Sequence, residues 1–186
     1  MLKHLLEWDR NTFIYLNNLG TEEYDLFWVI TTNIASWIPL YILLFTLIIL
    51  KYPKKEAFFI TCTIVLLLLC VLGLTDLTKT YFERLRPNND IEINSIIRVL
   101  KNPPGYSFFS GHASSSFSLS TIFFLFLRKK FSIIWLLFLW PFLFAYSRIY
   151  VGVHYPIDIL TGAAVGILLG ILFFLLYRKI IEPCIK

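Results

Sequence analysis

Five apolar runs, roughly at 26–50, 57–78, 108–127, 131–147 and 157–177, constrain this chain more than anything else in it. Each approaches the ~20 residues a helix needs to cross the hydrocarbon of a bilayer. Lipid offers the backbone no hydrogen-bond partners, so a run of that length has to satisfy its own amides as a helix. The chain is 58% hydrophobic and 16% charged, with a mean hydropathy of +0.71. Soluble domains carry about 25% charge, and one soluble core of this size would not bury so much apolar surface. The expectation is an all-α integral membrane bundle of about five transmembrane helices, folded as a single domain over residues 1–186.

The first twenty residues lack the uninterrupted apolar core of a signal peptide. Leu2, Leu5, Leu6, Phe13 and Leu16 fall near one helical face, which predicts an amphipathic helix on the membrane surface within residues 1–24. The linkers alternate in charge. "KYPKKE" at 51–56, "RKK" at 128–130 and the tail from Arg178 are short and basic, whereas Glu7, Asp9, Glu22, Glu23, Asp25, Asp90 and Glu92 fall on the other face. Nine of the 17 lysines and arginines, Lys186 among them, lie on the basic face, and three of the other eight belong to the motifs below. Basic linkers stay cytoplasmic, so the N-terminus and the long 87–107 connection are expected outside and the C-terminus inside. The positive charge thus writes topology; with no basic stripe carrying interleaved aromatics, nucleic-acid binding is not expected. Cys62, Cys70 and Cys184 have neither metal-site nor disulfide spacing and read as packing residues. Gly162, Gly166 and Gly170 stand four apart and predict a closely packed helix face with no chemistry of its own.

Three polar segments meet at one membrane face in this topology: "KTYFERLRP" at 79–87, "FSGH" at 109–112 and "SRIYVGVHYPID" at 147–158. A cation deep in the bilayer costs about 2.5–3.5 kcal/mol, less at a span end where it can snorkel. One such cation is an anchor. Lys79, Arg86 and Arg148 converging together repel one another and ask for an anion, and a phosphate suits two planar guanidinium forks and one compact ammonium. A helix beginning near Ser110 would add its free amides, with Gly111 allowing close backbone approach and the Ser110 hydroxyl donating. His154 and Asp158 are four apart across Pro156, a residue tolerated in the first turn of a helix. The carboxylate can reach back to orient the imidazole as a nucleophile, while His112 is free to act as general acid. A His112, His154 and Asp158 metal site is disfavoured, because three cations in one cavity repel a divalent ion. These residues alone leave catalysis and mere binding both open.

At these positions the chain resembles the type 2 phosphatidic acid phosphatase superfamily, which shares its active-site pattern with vanadium haloperoxidases. Lys79, six residues, Arg86-Pro87 matches the first family motif, and Ser147-Arg148, His154 and Asp158 match the last. The middle motif reads Phe109-Ser110-Gly111-His112, with phenylalanine where the family has a helix-starting proline. The resemblance covers 79–158 and implies a metal-independent lipid phosphatase that needs no cofactor. It implies His154 as the nucleophile forming a phosphohistidine, Asp158 orienting it, and His112 protonating the leaving group. Lys79, Arg86, Arg148, Ser110 and Gly111 would hold the phosphoryl oxygens. Substrates expected from the family are phosphatidic acid, phosphatidylglycerol phosphate, undecaprenyl diphosphate and lipid A phosphate, the last two favoured. The expected setting is a bacterial cytoplasmic membrane, with the site facing the periplasm or exterior. The rival is a non-catalytic anionic-lipid binder or transporter, which leaves His154 and Asp158 without a task. Three further expectations concern single residues. Asp76, inside the second span, should pair with Lys79 or another pocket cation; Glu83 and Arg84 read as interfacial; Arg98 and Lys101 in the 87–107 loop are placed to choose the head group.

Overall fold

The computed structural model describes residues 2–185. The Leu2 side chain and Lys186, assigned above to the surface helix and the basic face, lie outside the described residues. The helices are α1 (Leu2–Asn18), α2 (Asp25–Thr31), α3 (Ile38–Lys51), α4 (Lys54–Phe82), α5 (Gly111–Leu127), α6 (Leu139–Tyr150), α7 (Pro156–Leu176) and α8 (Glu182–Ile185). Among the described residues three helical stretches are long and apolar enough to cross a membrane, Ile34–Lys51, Lys54–Asn89 and Pro156–Ile185; Gly111–Leu127 and Ile134–Tyr150 are shorter apolar helices. Leucines and isoleucines such as Ile42, Leu66, Leu69, Leu168 and Leu172 stand exposed on α3, α4 and α7. Such an outward apolar belt suits lipid and not water. The protein is an integral, multi-pass membrane protein.

The first predicted span is not one helix. α2 stops at Thr31, Thr32 and Asn33 leave the helix, and a 3₁₀ turn at Ile34–Trp37 leads into α3. Asn33 starts that turn because its side-chain oxygen accepts from the Ala35 amide at 3.1 Å, an alternative to the helical ladder. The carbonyls released by the break are taken up locally: Trp37 Nε1 donates to Thr31 at 2.8 Å and Ser36 Oγ to Ile30 at 2.8 Å. Hydropathy alone cannot see such a break, since the residues on either side remain apolar.

α5 is the central helix, lined by α4, α6 and α7. Its closest neighbour is α7, through the predicted glycine face. A Cβ on Gly166 would lie 2.3 Å from the Ser114 carbonyl oxygen, and one on Gly162 2.7 Å from that of Ser110. The serines of α5 and the glycines of α7 thus let the two backbones touch, which brings the N-terminal ends of both helices side by side.

The two ends of the bundle differ. At one, Lys51 lies over the Phe131 ring, Lys130 over the Tyr52 ring, and Arg178 pairs with Glu182, so the basic linkers gather there. At the other lie α1, the strap 87–107 and the 151–155 turn. α1 is bolted down and does not merely float on the surface. Its Asn17 side chain donates to the carbonyls of Arg98, Ile149 and Tyr150 and accepts from the Arg98 amide at 2.7 Å. The strap crosses the 151–155 turn at Gly152, where a Cβ would meet the Arg98 carbonyl at 2.5 Å and φ is +83°. Only glycine fits both demands.

Candidate active site

Each polar segment is delivered by the end of a helix. α4 runs through Lys79 and ends where Glu83 turns left-handed (φ 47°), sending Arg84 and Arg86 inward. Ser110 caps α5, its hydroxyl oxygen accepting from the Ala113 amide at 3.4 Å, so Gly111 and His112 open the helix. α6 ends with Ser147 and Arg148, and α7 begins at Pro156 with Asp158 in its first turn.

His154 sits in the 151–155 turn, 1% exposed. Its Nε2 stands 3.1 Å from Arg86 Nη1, and its Nδ1 stands 3.4 Å from Asp158 Oδ2. A guanidinium only donates, so Arg86 favours a lone pair on Nε2, and the Asp158 carboxylate favours the proton on Nδ1. That tautomer presents a nucleophilic nitrogen. Asp158 Oδ2 also accepts from the Tyr155 amide at 3.0 Å, so it caps α7 and orients the ring at once. Ser107 completes the cluster, its main chain reaching the His154 ring and its hydroxyl the Asp158 carboxylate.

Burial, reinforced by Arg148, Arg86 and Lys79, holds His154 well below the usual imidazole range. Protonation would add a fourth cation to a desolvated cluster. The ring therefore stays neutral when the pH falls through 6.5, where a solvated histidine gains its charge. Imidazole ¹⁵N shifts of the ligand-free protein at pH 5.5 will show neutral His154, whereas a free histidine is about nine-tenths protonated there. A protonated ring at that pH would contradict the geometry.

The cations divide into two kinds. Arg10 pairs with Asp90 and Glu92, Arg84 with Asp9 and Asp158, and Arg98 with Asp25. Arg86 and Arg148, 5% and 6% exposed, have no such carboxylate among the described residues. Arg86 donates to the carbonyls of Gly105 and Val153, and Arg148 Nη1 to Thr32 Oγ1 at 2.5 Å, while Arg148 Nε is buried without a partner. Lys79 interacts electrostatically with both. Two buried guanidinium groups and a lysine, with no ion-paired acid on either arginine among the described residues, leave positive charge that an anion would balance. Next to them a cavity of about 430 Å³ opens, lined by His112, Arg148, Thr32, Asn33, Lys101 and Asn102 among others. His112 packs against the Phe144 ring at 4.8 Å and interacts with Arg148, His154 and Lys79, with its ring also reaching the Thr32 main chain.

The structure thus brings Lys79, Arg86, Ser110, Gly111, His112, Arg148, His154 and Asp158 to one end of the bundle. The Ser110 amide is already spent on the Asp158 carbonyl at 3.0 Å. Among the described residues no three His, Cys, Asp or Glu side chains gather as a metal site.

Three sequence expectations need correction. Asp76 is exposed and forms no ion pair among the described residues; it stands only within electrostatic reach of Lys79. Arg98 is not available to a head group, since both oxygens of Asp25 hold it at 2.7 and 2.8 Å. Arg84 is not a simple interfacial residue: it bridges two fully buried carboxylates, Asp9 and Asp158. Asp9, Ser107 and Thr32 were missed as well. Asp9 had left a trace, since it stands four residues from Leu5 and four from Phe13, in the middle of the apolar face of α1.

The PAP2 superfamily profile matches residues 57–182. The chain is 31% identical over 95% of its length to a lipid A 4'-phosphatase of Porphyromonas gingivalis, of which it covers 75%, and 27% identical over 97% to that of Bacteroides thetaiotaomicron, of which it covers 81%. It is 32% identical over 70% of its length to an undecaprenyl-diphosphatase of Sulfolobus acidocaldarius, covering 58% of it. Among solved structures, Aquifex aeolicus LpxE superposes with a TM-score of 0.68 at 30% identity, over 88% of this chain and 92% of that one. A PAP2 type phosphatidylglycerolphosphate phosphatase from Bacillus subtilis shares the fold with a TM-score of 0.76 at 20% identity, over 95% of this chain and 88% of that one. The chain belongs to the PAP2 superfamily and is a membrane lipid phosphatase, a hydrolase.

Proposed function

We propose that this phosphatase removes the phosphate of a lipid A type glycolipid through a phosphohistidine on His154. One observation carries the chemistry: among the described residues Arg86 and Arg148 are buried without a carboxylate partner, and the Nε2 lone pair of His154 stands at Arg86. The phosphoryl group takes the place of the missing acid. Arg86, Arg148, Lys79, the Ser110 hydroxyl and the Gly111 amide hold its oxygens and stabilise the charge of the transition state. Nε2 of His154 bonds to phosphorus, the bond to the lipid oxygen breaks, and that oxygen leaves with its electron pair and takes the proton of His112. Asp158 stabilises the positive charge on His154. Water, giving a proton back to His112, then cleaves the P–N bond and releases phosphate. No metal or cofactor takes part.

Lipid A phosphate is the preferred substrate because the two lipid A 4'-phosphatases align over nearly the whole chain. Asn33, Lys101 and Asn102 at the mouth suit a hydroxylated, charged head group. The cavity lies at the end opposite the basic linkers, which the positive-inside tendency puts on the periplasmic side of a bacterial cytoplasmic membrane. Undecaprenyl diphosphate is the second reading, favoured by the match to the diphosphatases.

Phosphate release from lipid A, undecaprenyl diphosphate, phosphatidylglycerol phosphate and phosphatidic acid, presented in micelles, tests both. Lipid A is expected to give the highest kcat/KM. Undecaprenyl diphosphate in first place favours the second reading, and binding of all four without release would leave a binder or transporter.

A further inference from the structure

The surface helix α1 inserts one acid into the catalytic end of the bundle, and nothing in the reaction as written explains it. Asp9 is wholly buried on a helix whose neighbours Leu5, Leu6 and Trp8 are about half exposed. Its Oδ1 accepts from the Ile157 amide at 2.8 Å, the residue before Asp158, and its Oδ2 from Arg84 Nη2 at 2.5 Å. The other prong of Arg84, Nη1, donates to Asp158 Oδ1 at 2.7 Å. Asp158 therefore has one oxygen for His154 and the Tyr155 amide, and one held by Arg84. The Tyr155 ring lies 4.1 Å from the guanidinium carbon and closes its remaining face, and the tyrosine hydroxyl donates to Asp90, which pairs with Arg10.

We propose that Asp9 and Arg84 are positioning residues, a buried relay through which the N-terminal helix fixes the charge and rotamer of Asp158 and, through it, the tautomer of His154. The assignment rests on His154 being the nucleophile. A carboxylate with no solvent holds its charge only against a donor, and among the described residues Arg84 is the one cation in hydrogen-bond contact with Asp158. His154 faces it from the 151–155 turn, Arg84 from the end of α4 and Asp9 from α1, with Arg86 and Lys79 within electrostatic reach. A long arginine would sample other rotamers in this setting. Asp9 prevents that by clamping the second prong, and its grip on the Ile157 amide ties the same acid to the turn that carries Asp158. A bidentate fork spanning two carboxylates is a geometry that lysine cannot reproduce.

Arg84→Gln is expected to lower kcat about 10²- to 10³-fold with KM changed less than about threefold, because the lost effect is on a group acting in the transition state. Asp9→Asn, close to isosteric, should lower kcat about tenfold in the same manner. Both should move the acid limb of the kcat profile upward, since a less supported Asp158 takes up a proton at higher pH. Arg84→Lys should fall between wild type and Arg84→Gln. Glu7→Gln, on the exposed side of α1, is expected to change nothing. Imidazole ¹⁵N spectra of the ligand-free proteins give a readout independent of turnover: wild type should show one tautomer of His154, and both relay variants a mixture. Should the wild type release no phosphate while the spectra still change as stated, the functional reading fails and the relay stands. A loss of kcat with the tautomer and the acid limb unmoved would make the relay ordinary scaffolding and overturn the proposal, as would kcat within twofold of wild type in both variants.

Discussion

His154→Ala is expected to abolish turnover of every substrate, by about 10⁴-fold or more, whereas His112→Ala will block formation of the phosphoenzyme only where the leaving group is poor. The distinction follows from the two positions. In the proposed reaction His154 supplies the atom that bonds to phosphorus, so no property of the substrate can replace it. His112 stands at the cavity wall beside Arg148, and in the same proposed reaction it delivers a proton to an alkoxide-like oxygen, a role worth about 10²- to 10⁴-fold. A lipid sugar oxygen needs that proton; a nitrophenolate does not. With p-nitrophenyl phosphate the His112→Ala enzyme should therefore release one equivalent of nitrophenol in a fast burst. Turnover then slows, because the second step asks His112 to accept a proton from the attacking water. The phosphoenzyme should accumulate and be trapped as acid-labile, base-stable phosphate. Absence of the nitrophenol burst in His112→Ala, as in His154→Ala, would refute the division of labour.

The parts that could be read before the structure were those where one residue type suffices to state a physical need. Lys79, Arg86 and Arg148 are costly in lipid, so their gathering at one end of the bundle followed; His154 and Asp158 are one helical turn apart, so their contact followed from spacing. Gly162, Gly166 and Gly170 announced a close helix contact because no other residue permits it. What escaped was whatever depends on a partner far away in the chain. Arg84 stands two residues before Arg86 and looks equally like a span-end anchor, until Asp9 and Asp158, 75 and 74 positions away, take its two prongs. Arg98 looked free for the same reason, its partner Asp25 lying 73 positions earlier. The break at Thr32 was hidden by the apolar residues around it. It matters to the site, because Thr32 supplies the hydroxyl that holds Arg148 and main chain that His112 reaches.

The second large effect concerns Arg148, and it has opposite signs for stability and activity. Arg86, Arg148 and Lys79 repel one another in a desolvated cluster, and among the described residues Arg148 Nε has no acceptor. A buried donor left unpaired costs about 1–3 kcal/mol, and replacing buried charge by an apolar side chain of similar length is often neutral or stabilising by about 1–4 kcal/mol. Arg148→Met removes the unpaired donor and the repulsion, and loses only the bond to Thr32 Oγ1. The ligand-free variant should therefore melt at a higher temperature than wild type in the same micelles. Its kcat/KM should fall about 10²- to 10³-fold or more, the loss expected on removing a donor aimed at transition-state charge. Orthovanadate, a phosphate mimic, should raise the melting temperature of wild type and leave that of Arg148→Met almost unchanged, since an anion that binds only the folded pocket stabilises it in proportion to its affinity. Arg148→Lys keeps the charge without the fork and should recover part of the vanadate stabilisation but little of the activity. A melting temperature below wild type for Arg148→Met, with the vanadate shift intact, would mean that the arginine serves the fold and that the anion is held elsewhere.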